Sequence, residues 1–316
     1  MSGKLNFAKS LPALPGDCHR DRIFSSYFFK LRTLTRGVPM RALILTAMLL
    51  IPVLFRLSLA QTADEQSLRQ GVNFIQTRTY TAEQNAVLLK LYQGLRVADV
   101  SDGLDMVGLP NRGLVDHSIK PSWRDLDSLK HQFRGIALTV RYVPSQRGHL
   151  PEPGEDFSNW EGEWYRELSS EAFVSIIEPG TVIVIDDVEQ GDIGSIGSNN
   201  ILKWFERGAV GVVTDASSRD VDEVAKERVP LYMRHTGRGI RPGRNELESI
   251  NRPVEIGGVL VCPGDMLVAD GDGVVVVSRA VAEKVALYAR NILDSDREGR
   301  RKTYERLGIP LDQTVK

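Results

Sequence analysis

One stretch constrains the fold more than any other: residues 181–223, TVIVIDDVEQGDIGSIGSNNILKWFERGAVGVVTDASSRDVDE. An apolar, β-branched run at 181–185 stops at Asp186 and Asp187, the mark of a buried strand ending at a polar rim. A glycine-spaced loop follows, with Gly191, Gly194 and Gly197. The next segment, 199–207, has helical spacing, with Ser198 or Asn199 placed to cap it and Gly208 placed to end it. A second apolar run, 209–213, ends in Thr214 and Asp215, and Arg219 and Asp220 lie just beyond. Strand, glycine loop, helix, strand and polar pair predict an α/β unit with parallel strands. In such a sheet the helix N-termini and the carboxyl ends of the strands open on one edge. Helix-start amides attract an anion, a guanidinium grips a carboxylate with two bonds, and a neighbouring carboxylate holds a hard cation. Together they suit a small 2-oxo acid and a divalent metal. Each signal is weak alone, because glycines serve turns as often as ligands.

The set of motifs resembles the family of the regulator of ribonuclease E activity A and the 4-hydroxy-4-methyl-2-oxoglutarate aldolases. The residues that carry the resemblance are Gly197, the Arg219–Asp220 pair and Glu223 three residues on. Others are Val-Ser-Asp-Gly-Leu (100–104), Pro-Val-Glu-Ile-Gly-Gly (253–258), Pro-Gly-Asp (263–265) and Ala-Asp-Gly-Asp-Gly-Val (269–274). The likeness covers roughly 84–285 in the family's order. Two positions depart from it: Ser198 stands where an acid often follows the loop glycine, and Ala216 stands where glycine usually follows the strand-end Asp.

The resemblance implies a layered αββα-type α/β sandwich of the swivelling-domain kind. It also implies a metal-dependent pyruvate aldolase that decarboxylates oxaloacetate as well. Arg219, Asp220 and Glu223 are then the catalytic residues, and Asp220 the ligand of Mg²⁺ or Mn²⁺. Gly197, Ser198, Asn199, Asn200 and Arg219 bind the substrate, a small 2-oxo acid, and Asp102 lies near the site. Homotrimers or homohexamers are implied as well. A non-catalytic regulator or binding module is the rival reading, and the acid at Glu223 argues against it.

Composition excludes other classes. A net charge of −1 leaves no electrostatic footprint for nucleic acid. The loop glycines do not form the dinucleotide fingerprint, no lysine-bearing phosphate loop is present, and zinc-ligand spacing is missing. Of the two cysteines, Cys18 and Cys262, the latter sits in an apolar run and reads as a buried thiol.

Residues 40–61, MRALILTAMLLIPVLFRLSLAQ, read as an export signal with cleavage near Ala60, a membrane anchor being the alternative. Met40 then reads as the true start. The expected organisation is 1–60 extension and signal, 61–82 polar arm, 83–285 catalytic domain, and 286–316 charged C-terminal helix and tail. Within it, Ser101 is expected to cap a short helix. Residues 144–170, with Trp160 and Trp164, read as a long loop, lid or subunit contact, and 234–252 as a basic glycine-rich loop.

Overall fold

The computed structural model describes residues 65–72, 74–147, 151, 156–188 and 192–316. The signal expected at 40–61 lies outside them. Among the described residues no helix is long and apolar enough to cross a membrane. The chain divides into two units, 1–76 and 77–316. The described residues of the first include a short exposed helix, α1 (Glu65–Arg69), closed by the Glu65–Arg69 ion pair.

The second unit is built on one eight-stranded mixed sheet. Its strands are β1 (Lys120–Pro121), β2 (Phe133–Pro144), β3 (Thr181–Asp186), β4 (Ala209–Thr214) and β6 (Leu231–Met233), with β8 (Asn245–Ile250), β11 (Met266–Asp270) and β12 (Gly273–Val277). Two pairs stand apart: β5 (Ser217–Ser218) with β7 (His235–Thr236), and β9 (Val254–Ile256) with β10 (Val259–Val261). The main path runs β1-β6-β4-β3-β2-β11-β12, and β8 pairs with the far half of β2. Strands β2, β3, β4 and β6 are parallel, so α5 (Ser198–Glu206) and α6 (Val221–Glu227) serve as the crossovers. This is the layered α/β sandwich expected from the sequence.

The side-chain alternation of β3 shows why the run at 181–185 is apolar throughout. Val182 and Val184 face the β9–β10 hairpin, packing with Val254, Ile256 and Val261. Ile183 and Ile185 face the helices, packing with Ile201 and Trp204 of α5 and Val224 of α6. A strand covered on both faces has no polar side to show. A separate cluster covers β11 and β12. There α2 (Ala82–Tyr92), α3 (Val97–Met106) and α7 (Ala282–Leu307) bring Tyr92, Val100, Leu104, Val285 and Ala289 onto Met266, Val268, Val275 and Val277. Burying each larger apolar side chain contributes roughly 1.5–3 kcal/mol, enough for these layers to fix the sheet edge that carries the site.

Several local expectations are corrected. Ser101 does not cap a helix; α3 begins at Val97, and Asp99 accepts the Arg96 amide at 2.9 Å. The earlier start lets Val97, Val100 and Leu104 share one buried face. α5 is capped by Gly197, with no side-chain cap from Ser198 or Asn199. The stretch 144–170 is not all loop, since it contains helix α4 (Phe157–Glu167), N-capped by Asp156 and stacked through Phe157, Trp160 and Trp164. Cys262 is buried, as its apolar run suggests. Thr81 and Gln84 form a capping box at the start of α2, and Gly271 and Asp272 turn β11 into β12.

Candidate functional site

The site lies where the chain leaves β3 and β4 at their carboxyl ends. In the glycine loop, Ile196 forms a parallel bridge to Ser218 of β5. The Ser218 hydroxyl donates to the Ile196 carbonyl at 2.7 Å, and the Arg219 amide donates to the same oxygen at 2.8 Å. These bonds fix Arg219 and Asp220 against the glycine turn. Glycine is required there for space. A Cβ on Gly194 would lie 2.7 Å from the Arg219 Cβ, and one on Gly197 would lie 2.8 Å from Asp220 Oδ2 and 3.5 Å from Arg219 Nε.

Asp220 has φ +58° and ψ +37°, a left-handed conformation that few non-glycine residues adopt. It occupies the N-cap position of α6 yet makes no side-chain cap bond to that helix. Its carboxylate turns back instead, and Oδ2 accepts the Ser198 amide at 3.2 Å. Arg219 Nε stands 3.9 Å from the same oxygen, and the two side chains are 37% and 40% exposed, so both reach solvent. Glu223 is exposed in the first turn of α6. The structure therefore gathers Gly197, Ser198, Arg219 and Asp220, with Glu223 one turn away.

The substrate-binding set is narrower than the spacing suggests. The Ser198 amide is engaged by Asp220, and the Asn200 amide donates to the Gly197 carbonyl at 3.1 Å. Asn200 Nδ2 donates to Glu171 at 2.6 Å, so its side chain is also occupied. Asn199 is exposed, and its amide has no acceptor among the described residues. Asp102 is exposed on α3, which packs chiefly on α7, β11 and β12.

Sequence reasoning missed a buried polar frame beneath the site. Glu171 accepts from Asn200, from Trp204 Nε1 at 3.0 Å and from the Arg241 guanidinium. Arg241 is 3% exposed and also donates to the Tyr142 hydroxyl at 2.9 Å. The basic loop is thus not a solvated surface at this position. Asn245 is fully buried and donates to Asp187 at 2.8 Å and to the Ser195 hydroxyl at 3.2 Å. Burial raises the Asp187 carboxyl above its usual range against the hydrogen bonds that lower it. The one sequence signal was a cluster of arginines, which does not distinguish a clamp from a surface.

Residues 97–276 match the model of the family described as RraA-like, Aldolase/RraA. The chain belongs to that family. Among curated relatives, it is 28% identical over 182 residues to protein DlpA of Legionella pneumophila, a match spanning 57% of this chain and 26% of the other. It is 33% identical over 114 residues to a Halalkalibacterium halodurans protein named "Putative 4-hydroxy-4-methyl-2-oxoglutarate aldolase", spanning 35% and 53%. The chain thus spans about half or less of the length of these two relatives. Among solved structures, an uncharacterized protein from Pseudomonas syringae pv. tomato superposes with a TM-score of 0.55 at 25% identity, covering 76% of this chain and 100% of the other. Streptomyces coelicolor RraAS2, titled an unusual member of the RNase ES inhibitor RraA protein family, superposes with a TM-score of 0.56 at 21% identity, covering 69% and 98%. At that identity it shows the RraA-like fold alone.

The family's aldolases raise the question of a divalent metal. The residues present fit a cation held mainly by water and substrate. Asp220 offers a partly exposed carboxylate, and its Oδ1 accepts no hydrogen bond from the described residues. Among the described residues no cluster of three or more His, Cys, Asp or Glu forms an all-protein cage. Magnesium commonly takes this arrangement, with one or two carboxylates and the remaining positions filled by water and substrate oxygens.

Proposed function

We propose that the chain is a divalent-metal-dependent carbon–carbon lyase of the class II pyruvate aldolase type. Its substrates would be 4-hydroxy-2-oxo acids of the 4-hydroxy-4-methyl-2-oxoglutarate kind and, by decarboxylation, oxaloacetate. The observation that carries this reading is the Arg219–Asp220 pair held against the Gly197 turn, with guanidinium and carboxylate neighbouring and both partly exposed. Membership of the RraA-like family supports it, as does the aldolase name of a relative.

Arg219 holds the C1 carboxylate through its planar fork, aided by the Asn199 amide at the start of α5. Asp220 holds the Mg²⁺ or Mn²⁺ ion, directly or through water. When bound, the ion supplies Lewis-acid polarisation of the C2 ketone. In the aldol substrate the 4-hydroxyl gives its proton to water held by Glu223, its oxygen becomes the carbonyl of the departing C4 fragment as the C3–C4 bond breaks, and the bonding pair passes into the pyruvate enolate. Oxaloacetate reaches the same enolate by losing CO₂. Glu223, exposed one turn along α6, holds the water through which the proton returns to C3. Assembly as a homotrimer or homohexamer and export after cleavage near Ala60 belong to the same proposal.

The test is pyruvate release from oxaloacetate and from 4-hydroxy-4-methyl-2-oxoglutarate, above the metal-only background. EDTA and Asp220→Ala are each expected to lower the rate at least about 100-fold, as loss of one preorganised electrostatic group does. Equal rates in all three conditions reject the enzyme. Oxalate binding without turnover in the wild type assigns a binding module instead.

A further inference from the structure

Asn245, the first residue of β8, is fully buried, and every hydrogen-bonding group it carries is used. Its amide donates to the Arg241 carbonyl at 3.2 Å, and its carbonyl accepts Trp164 Nε1 of α4 at 3.0 Å. In the side chain, Oδ1 accepts the Ser169 hydroxyl at 2.9 Å. Nδ2 donates to Asp187 Oδ1 at 2.8 Å and to Ser195 Oγ at 3.2 Å, so both of its hydrogens are taken. Asp187 follows β3 and Ser195 lies in the glycine loop. One side chain thus ties the point where the chain leaves the sheet to the point where it reaches the site. Both partners are buried, so water does not readily replace these bonds when they are lost. Ser195 in turn adjoins the bonds that fix Arg219. The carbonyl of Ile196, next in the chain, accepts both the Ser218 hydroxyl and the Arg219 amide. On the other side of Ser195, a Cβ on Gly194 would meet the Arg219 side chain. The backbone bond from the Gly194 amide to the Gly239 carbonyl, at 2.9 Å, steadies the same turn without any side chain.

We infer that Asn245 is the positioning residue for Arg219 and Asp220. Acting through Ser195, it sets the Ile196 carbonyl that receives Arg219 and the Gly197 turn against which Asp220 lies. This rests on the proposed part of that pair in the reaction. Asn245 works at a distance, one hydrogen bond and one peptide unit from the acceptor of the Arg219 amide. The position calls for this amide in particular. Aspartate would set a second carboxylate against Asp187 in a buried site, and glutamine carries one methylene more than a fully buried side chain has room for.

The experiment compares the full chain with Asn245→Ala, Ser195→Ala and the double variant. Two readouts are taken: pyruvate release from oxaloacetate in Mg²⁺ above the metal-only background, and amide hydrogen exchange by mass spectrometry. Asn245→Ala is expected to lower kcat about 100-fold, the cost of displacing a reacting group by about 1 Å. Ser195→Ala is expected to lower it at least about tenfold. The double variant is expected to be no slower than Asn245→Ala, because both changes cut one route. The segment 192–220 is expected to exchange about tenfold faster in each variant, while β11 and β12 exchange as in the wild type. Ser195→Ala removes a single hydroxyl and carries both readouts should Asn245→Ala fail to fold. Losses that multiply in the double variant, an unchanged kcat in Ser195→Ala, or unchanged exchange over 192–220 overturn the inference and leave the enzyme. A wild type that releases no pyruvate removes the aldolase, and exchange then decides alone. A loosened segment keeps Asn245 as the residue that positions Arg219, and an unchanged one overturns both.

Discussion

Gly197→Ala is expected to slow pyruvate release by about two orders of magnitude while leaving the fold intact. Gly197 has φ −110°, which alanine adopts without strain, so the effect is steric and local. The added methyl would sit 2.8 Å from Asp220 Oδ2, displacing the carboxylate from the turn and breaking its bond to the Ser198 amide. Asp220 cannot retreat freely, because its backbone is already left-handed and the Arg219 amide is pinned to Ile196. A displacement of about 1 Å in a positioning group costs on the order of 100-fold in rate. Stability is expected to fall by only about 1 kcal/mol, since alanine is a poorer N-cap than glycine. Steady-state kinetics beside urea unfolding checks both halves. A rate within threefold of wild type would show that the Gly197–Asp220 contact does not position the chemistry.

Asp215→Asn is expected to stabilise the protein at pH 8 by several kcal/mol and to do almost nothing near pH 4. Thr214 is registered against Ile185 across β3 and β4, which makes Asp215 the direct neighbour of Asp186. Asp215 is 7% exposed, and its Oδ1 is buried without a hydrogen-bond partner. Burial, reinforced by the Asp186 charge, pushes its carboxyl up to about 7 from 3.8. Between those values the folded chain keeps a proton that the unfolded chain releases, so stability falls as pH rises through the window. The full effect is at most about 4 kcal/mol, at about 1.4 kcal/mol per pH unit. Below pH 4 both states are protonated, and the contribution no longer varies. Asparagine removes the titration while keeping the shape. Urea midpoints at pH 4, 6 and 8 should therefore decline less steeply in the variant, and parallel declines would exclude a buried neutral Asp215.

Which parts of this molecule were legible in its residues follows from the range of the forces involved. The strands at 181–185 and 209–213, the helix between them and the capping box at Thr81 are written in local periodicity and backbone preference. The family was legible because spaced motifs along 97–276 keep a fixed order, and the fold followed from it. Other features depended on contacts between distant segments. Glu171 and Arg241 are seventy positions apart, and Trp164 and Asn245 are eighty-one. Only packing showed that Asn200 is occupied by Glu171, that Arg241 is buried, and that Tyr165 of α4 lies against Arg241. Periodicity reports which face of an element is apolar and says nothing of which buried donor meets which acceptor, because that pairing is set by strand register and by where each crossover returns. By itself the sequence determined the sheet edge and the residue types gathered on it. The tertiary structure decided which polar groups remain free there, since each buried hydrogen bond removes a donor or acceptor that a ligand would otherwise have met.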